Sequence, residues 1–103
     1  MGNRLEQLVA LVAANPANVL ARYGLAMEYA QTGDHGRALE NFRELMRGNP
    51  NYVAAYYQAG KVLQAMGDYA QARTILEQGI EATLRAGDLH ARSEMEGLLA
   101  ELR

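Results

Sequence analysis

The chain repeats itself at a fixed interval of 34 residues, and this limits its architecture more tightly than any other feature. The segment NPANVLARYGLAMEYAQTGDHGRA, beginning at Asn15, returns as NPNYVAAYYQAGKVLQAMGDYAQA, beginning at Asn49. The shift lays Asn15-Pro16 on Asn49-Pro50, Val19 on Val53, Ala21 on Ala55, Tyr23 on Tyr57, Gly33-Asp34 on Gly67-Asp68 and Ala38 on Ala72. Apolar character survives at Leu25/Ala59, Tyr29/Leu63, Phe42/Leu76 and Met46/Ile80. Run backwards, the same shift places Leu8 one period before Phe42, and Leu11-Val12 before Leu45-Met46, so the opening segment is in frame as well. A unit of this length cannot bury its own apolar face and must stack on its neighbours.

Each unit reads as helix–turn–helix. Pro16 and Pro50 stand near helix starts, where a missing N–H is harmless. Gly33-Asp34 and Gly67-Asp68 interrupt the periodic pattern: glycine ends one helix and aspartate caps the next. The spacing predicts six helices, near 3–14, 17–32, 35–48, 51–66, 69–86 and 88–102, the fifth about a turn longer than the third because EATLRAGD continues to Gly87-Asp88. Small residues at Ala26/Gly60 and Ala38/Ala72 let paired helices approach, and large ones at Tyr29/Leu63 and Phe42/Leu76 fill the space between pairs. The last helix carries Ala91, Met95, Leu98 and Leu102 on one stripe, with Arg92, Glu94, Glu96 and Glu101 off it, as expected of an element that closes the end of a stack.

The period, the Gly-Asp turn, the small residues at Ala26/Gly60 and Ala38/Ala72, the large ones at Tyr29/Leu63 and Phe42/Leu76, and Pro50 at the close of the first unit together resemble the tetratricopeptide repeat family. The resemblance implies an all-α fold, a right-handed α-α superhelix of antiparallel helix pairs. It divides one domain, 1–103, into a leading half-repeat helix 3–14, a first repeat 19–52, a second repeat 53–86 and a capping helix 88–102. Two positions depart from the pattern: Arg22 occupies the family's tryptophan position, which Tyr56 fills one unit later, and Leu45 replaces a small residue.

Composition excludes several classes. Ten Lys+Arg against twelve Asp+Glu, interspersed, leave a net charge of −2 and no cationic surface for nucleic acid. With no cysteine there are no disulfides and no thiolate chemistry, which fits the cytoplasm. LVALVAA, Leu8 to Ala14, has the minimum length of a signal-peptide core, but Glu6 flanks it and the repeat frame gives it a folded role. MGNRLE places Glu6 where a myristoylation site needs Ser or Thr. No run approaches the length of a membrane span.

Candidate catalytic and metal-binding groups are sparse. His90 and Glu94 lie one helical turn apart, a solvated pair rather than a metal site. His35 falls in a turn where the next unit has Tyr69, and Ser93 has no histidine–acid arrangement around it. Glu40/Glu44 and Arg43/Arg47 read as a charged outer face. Gly60 and Gly79 are expected at close helix contacts, while Gly24 and Gly97 have no evident role. The chain is therefore read as a non-enzyme without cofactor or metal.

The functional clue is a second stripe on helix 17–32. Leu25, Ala26 and Tyr29 face the helix pair, yet Leu20, Tyr23, Met27 and Ala30 form another apolar row. The matching row on helix 51–66 is Ala54, Tyr57, Lys61 and Gln64. In the family that the chain resembles, the first helices of successive units line the concave surface. The two rows are thus expected to floor a groove for a peptide or helix of another protein, with Lys61 and Arg92 favouring an acidic one. Tyrosines packed only between helices are the competing expectation. Family members that grip the C-terminal carboxylate of heat-shock chaperones use a lysine and asparagines here. Tyr23, Met27 and Gln58 stand at those positions, so that activity is not implied. The alternative function is self-assembly, as a homodimer through the uncovered first helix at Val9.

Overall fold

The computed structural model describes residues 3–102; Met1 and Gly2, the start of MGNRLE, and Arg103 lie outside the described residues. Six helices follow one another: α1 (Arg4–Ala14), α2 (Val19–Gln31), α3 (His35–Gly48), α4 (Val53–Ala65), α5 (Tyr69–Ala86) and α6 (Leu89–Glu101). No strand occurs among the described residues. The helix starts follow from side chains that accept the otherwise unpaired N–H groups of a first turn. Asn3 caps α1, Asn18 caps α2, and Asp34, Asp68 and Asp88 cap α3, α5 and α6. Gly33, Gly67 and Gly87 take φ of 84°, 79° and 69°, left-handed values that turn the chain from one helix into the next cap.

Two boundaries differ from the sequence expectation. α2 and α4 begin at Val19 and Val53, two residues later than the spacing predicts. Pro16 and Pro50 belong instead to β-turns closed by Asn18 N–H to Asn15 O at 3.0 Å and Tyr52 N–H to Asn49 O at 2.9 Å. Proline's fixed φ suits the second position of such a turn as well as it suits a first helical turn. The longer fifth helix is present, with 18 residues in α5 against 14 in α3.

The helices form two layers. α2, α4 and α6 touch in series, whereas α1, α3 and α5 do not touch one another. The first layer is the inside of a curve and the second fans open on the outside, giving a right-handed superhelical stack of 43 × 28 × 19 Å. Between the layers, Ala26, Ala38, Phe42, Ala59, Leu63, Ala72, Leu76 and Met95 are sealed from solvent. Two other residues tie the turns to the stack. Tyr56 donates its hydroxyl to Pro50 O at 2.7 Å, and Arg22, one period earlier, donates to Pro16 O at 3.4 Å and to Asn41 Oδ1 at 3.0 Å. Arginine thus carries out at the first turn what tyrosine does at the second. No helix is long and apolar enough to cross a membrane among the described residues.

The small residues are placed where backbones come closest. A Cβ on Gly60 would lie 2.7 Å from Leu76 Cδ2, and one on Gly79 would lie 2.6 Å from both Tyr56 Cβ and Met95 Sδ. Gly24 is a milder case, with Leu8 Cδ2 at 3.2 Å, and Gly97 faces open space. Gly79→Ala is therefore expected to destabilise the protein by about 1–3 kcal/mol through overpacking. Gly97→Ala is expected to stabilise it by about 0.5–1 kcal/mol through helix propensity. Paired thermal melts check this; melting temperatures that move in the same direction would contradict the packing assignment.

Candidate functional site

The inner layer presents the two rows singled out from the sequence, and their environments differ. On α2, Leu20 is 77% exposed, while Tyr23, Met27 and Ala30 are half-buried. Tyr23 stands edge-on to Phe42, with ring centroids 6.0 Å apart at 65°, and tilted against Tyr52 at 5.6 Å. On α4, Ala54 and Lys61 are exposed, and Tyr57 and Gln64 are half-buried. The Lys61 ammonium lies 5.5 Å from the centre of the Tyr57 ring, a cation–π contact within one helical turn. Lys61 forms no ion pair among the described residues. Tyr23 is thus a packing residue with one accessible side, and Tyr57 is a surface tyrosine carrying a cation.

Two clefts separate the inner helices. One, about 320 Å³ between α2 and α4, is lined by Met27, Ala30, His35, Gln58, Lys61 and Val62, among others. The other, about 300 Å³ between α4 and α6, includes Ala54, Tyr57, Gln58, Ala91 and Glu94. Gln58 borders both, and Gln64 borders neither. A third cleft of about 440 Å³ lies between α1 and α2, where Leu20, Tyr23 and Met27 face Arg4, Leu8 and Leu11. Val9, 43% exposed, is outside all three.

Three participants were not singled out from the sequence. Gln58 appeared there only as a departure from a family pattern, and His35 only as a turn residue; both line the α2–α4 cleft, and His35 Nδ1 is buried there without a hydrogen-bond partner. Tyr52 left a legible trace. It replaces Asn18 one period on, and α4 consequently has no side-chain cap, so an aromatic at an N-cap position is a sign that packing has displaced capping. His90 Nε2 and Glu94 Oε1 are 3.5 Å apart and exposed, and no cluster of three His, Cys, Asp or Glu suited to a metal occurs among the described residues.

Burial sets the electrostatics of the aromatic group. It raises the Tyr23 phenol above its ordinary value of 10.0, with the neighbouring Tyr52 adding to the rise and the Gln58 amide opposing it; burial alone raises Tyr52. The unfolded chain then releases these protons first. The associated stability is complete below the ordinary tyrosine pKa and is lost as pH rises through the folded values. Absorbance titration is expected to show a late-ionising phase from Tyr23 and Tyr52, with the melting temperature falling above about pH 10. Removing that late phase with Tyr52→Phe and Tyr23→Phe checks the assignment.

Comparison with known proteins places this geometry. Two family models described as tetratricopeptide repeat match, one over residues 29–102 and the other over residues 1–53. A TPR repeat-containing protein of Pseudomonas aeruginosa is 37% identical over 98 residues, which span 95% of this chain and 93% of that protein. The solution structure of a Bordetella parapertussis protein superposes with a TM-score of 0.85 at 33% identity, covering 99% of this chain and 89% of that one. The TPR2B domain of yeast Sti1, in a complex with pHsp70, superposes with a TM-score of 0.88 over 95% of this chain and 78% of that one; at 16% identity this is a likeness of fold.

Proposed function

The chain belongs to the tetratricopeptide repeat family, and we propose that it is a non-enzymatic module that holds a peptide or helix of another protein on its concave inner face. The observation that carries this reading is the pair Tyr57–Lys61. It joins a large amphipathic ring and a cation that forms no ion pair among the described residues at the meeting of two clefts, on the side of the stack where the helices converge. Tyrosine supplies contact area with little rotamer entropy to lose, and Met27 adapts its shape beside it. Lys61 favours an acidic partner. Arg92 contributes less, because its guanidinium is already engaged with Glu96 at 3.3 Å. The fold is one that supports such a role, as the pHsp70 complex of the Sti1 domain illustrates for that protein. A grip on a chaperone carboxylate is not proposed, since Tyr23, Met27 and Gln58 occupy the positions that would make it. A cytoplasmic setting fits the cysteine-free composition.

Tyr57→Ala is expected to lower stability by less than about 1.5 kcal/mol, because the ring is only partly buried. It should weaken a partner isolated on the immobilised wild-type chain by about 2 kcal/mol or more. Lys61→Glu is expected to weaken the same partner in a salt-dependent manner. Calorimetric titration and a thermal melt measure these quantities; a large loss of stability with unchanged affinity would make Tyr57 a core residue and remove the reading.

Self-assembly through α1 is the second reading, and the exposed apolar Val9, which lies outside the clefts, favours it. If it holds, light scattering gives a dimer that Val9→Glu shifts to monomer. A wild-type monomer at every concentration ends it.

A further inference from the structure

The α1–α2 cleft faces away from the rest of the stack, and the repeat itself indicates what fits there. One period on, the same surface is made by α3 and α4, and α2 covers it. Leu8, Leu11 and Ala21 correspond to Phe42, Leu45 and Ala55. Leu45 is 2% exposed beneath α2, whereas Leu11, with no helix over it among the described residues, is 51% exposed. The side chain that α2 sends into its site is Tyr23, set against Phe42 and Tyr52 with Gln58 beside it. The residues at the corresponding places in the α1–α2 cleft are Leu8, Asn18 and Gly24, all smaller. The cleft is therefore the α2–α3–α4 interface continued by one repeat, with a wider hole for the aromatic.

We propose that this cleft is a second docking site, and that its occupant is an amphipathic helix of another protein bearing an aromatic residue, a small residue three positions later and a large apolar residue three further on. Both inner helices that occupy the equivalent place carry this spacing, as Tyr23-Ala26-Tyr29 and Tyr57-Gly60-Leu63. The middle residue must be small because it meets the outer helix closely: at Gly60 the contact is Leu76, which corresponds to Leu8 in α1. Arg4 stands one period before the buried Ala38; its side chain, 69% exposed and held by Glu28 at 2.9 Å, lines the cleft and must swing off the crossing to admit the helix, where it can lie over an incoming ring. Such cation–ring contacts already occur twice in this protein, at Lys61–Tyr57 and Arg37–Tyr29.

A second copy stacked end to end through α6 does not fit the cleft. The helix that a copy offers from its far end is α6. Aligning the cap residues Tyr52 and Asp88 puts Glu96 where α4 has Gly60. Stacking α6 on α1 would press that carboxylate, now exposed and paired with Arg92, onto Leu8 at a position held by Ala26 in α2 and Gly60 in α4. α6 of a second copy is thus excluded, and the cleft takes a different helix. This inference stands on the repeat register and is independent of the concave-face reading.

The probe is a side-chain-stapled helical peptide of residues 15–33, which carries Tyr23, Ala26 and Tyr29, titrated into the full isotope-labelled chain. Binding is expected to shift the methyl signals of Leu8, Leu11 and Leu20. Leu11→Glu in the protein, or Ala26→Glu in the peptide, is expected to weaken it at least ten-fold. Leu11 is half exposed, so its replacement leaves the fold intact, and Lys61→Glu is expected to leave peptide affinity unchanged. Three results overturn the proposal: no binding at about 1 mM peptide, shifts centred on Tyr57 and Lys61, or a chain that dimerises alone with the same leucine shifts.

Discussion

The closeness of the helix crossings at Gly60 and Gly79 is the constraint on which the stack depends. Gly60 lets α4 settle on Leu76 of α5, and Gly79 lets α5 receive Tyr56 from α4 and Met95 from α6 at once. Ala26, Ala38 and Ala72, all fully buried, hold the equivalent small positions of the two helix pairs. Small residues at the crossings draw the axes together, and Phe42, Leu63, Leu76 and Met95 fill the gaps that remain. A 103-residue chain without disulfides gains its stability from many such local contacts, joined in one continuous apolar cluster from Ala26 to Leu102.

The same packing makes the two surfaces unlike. With α2, α4 and α6 in contact and α1, α3 and α5 apart, one layer is concave and the other convex. The outer helices carry the exposed charges Glu40, Arg43, Glu44, Arg47, Glu77 and Glu81, an ordinary solvated face. The inner helices carry tyrosines, Met27 and Lys61 around clefts. The ends differ as well. α6 closes one end with Arg92 and Glu96 turned outward, while α1 leaves Leu11 exposed at the other.

Most of the fold was legible because a period of 34 residues carries capping, turn and packing information together. Asp34 and Asp68 as caps, Gly33 and Gly67 as turns, and Gly60 and Gly79 as contacts can each be found from position alone. The helix starts at Val19 and Val53 were less legible, since proline suits a turn and a first helical turn equally. The site was legible as a row of residues but not as an environment. Tyr23 and Tyr57 occupy the same place in the period, yet Tyr23 meets Tyr52 from the following unit, whereas Asp88 takes the corresponding place beside Tyr57. What surrounds a residue in a stack is decided by the next unit, and a repeat pattern averages that difference away. The Lys61–Tyr57 contact could have been anticipated from its spacing of four residues; the Tyr23–Tyr52 contact, made between helices, could not.

The claim that the inner face is the binding surface is tested most directly by site-specific photo-crosslinking in the native cell lysate. A benzoylphenylalanine in place of Lys61 on the inner layer is compared with one in place of Glu77 on the outer layer; both positions are exposed, so neither label disturbs the core. The expected result is a discrete, reproducible protein adduct from position 61 that is absent from position 77. An adduct from position 77 with none from position 61 would contradict the account and move recognition to the convex face.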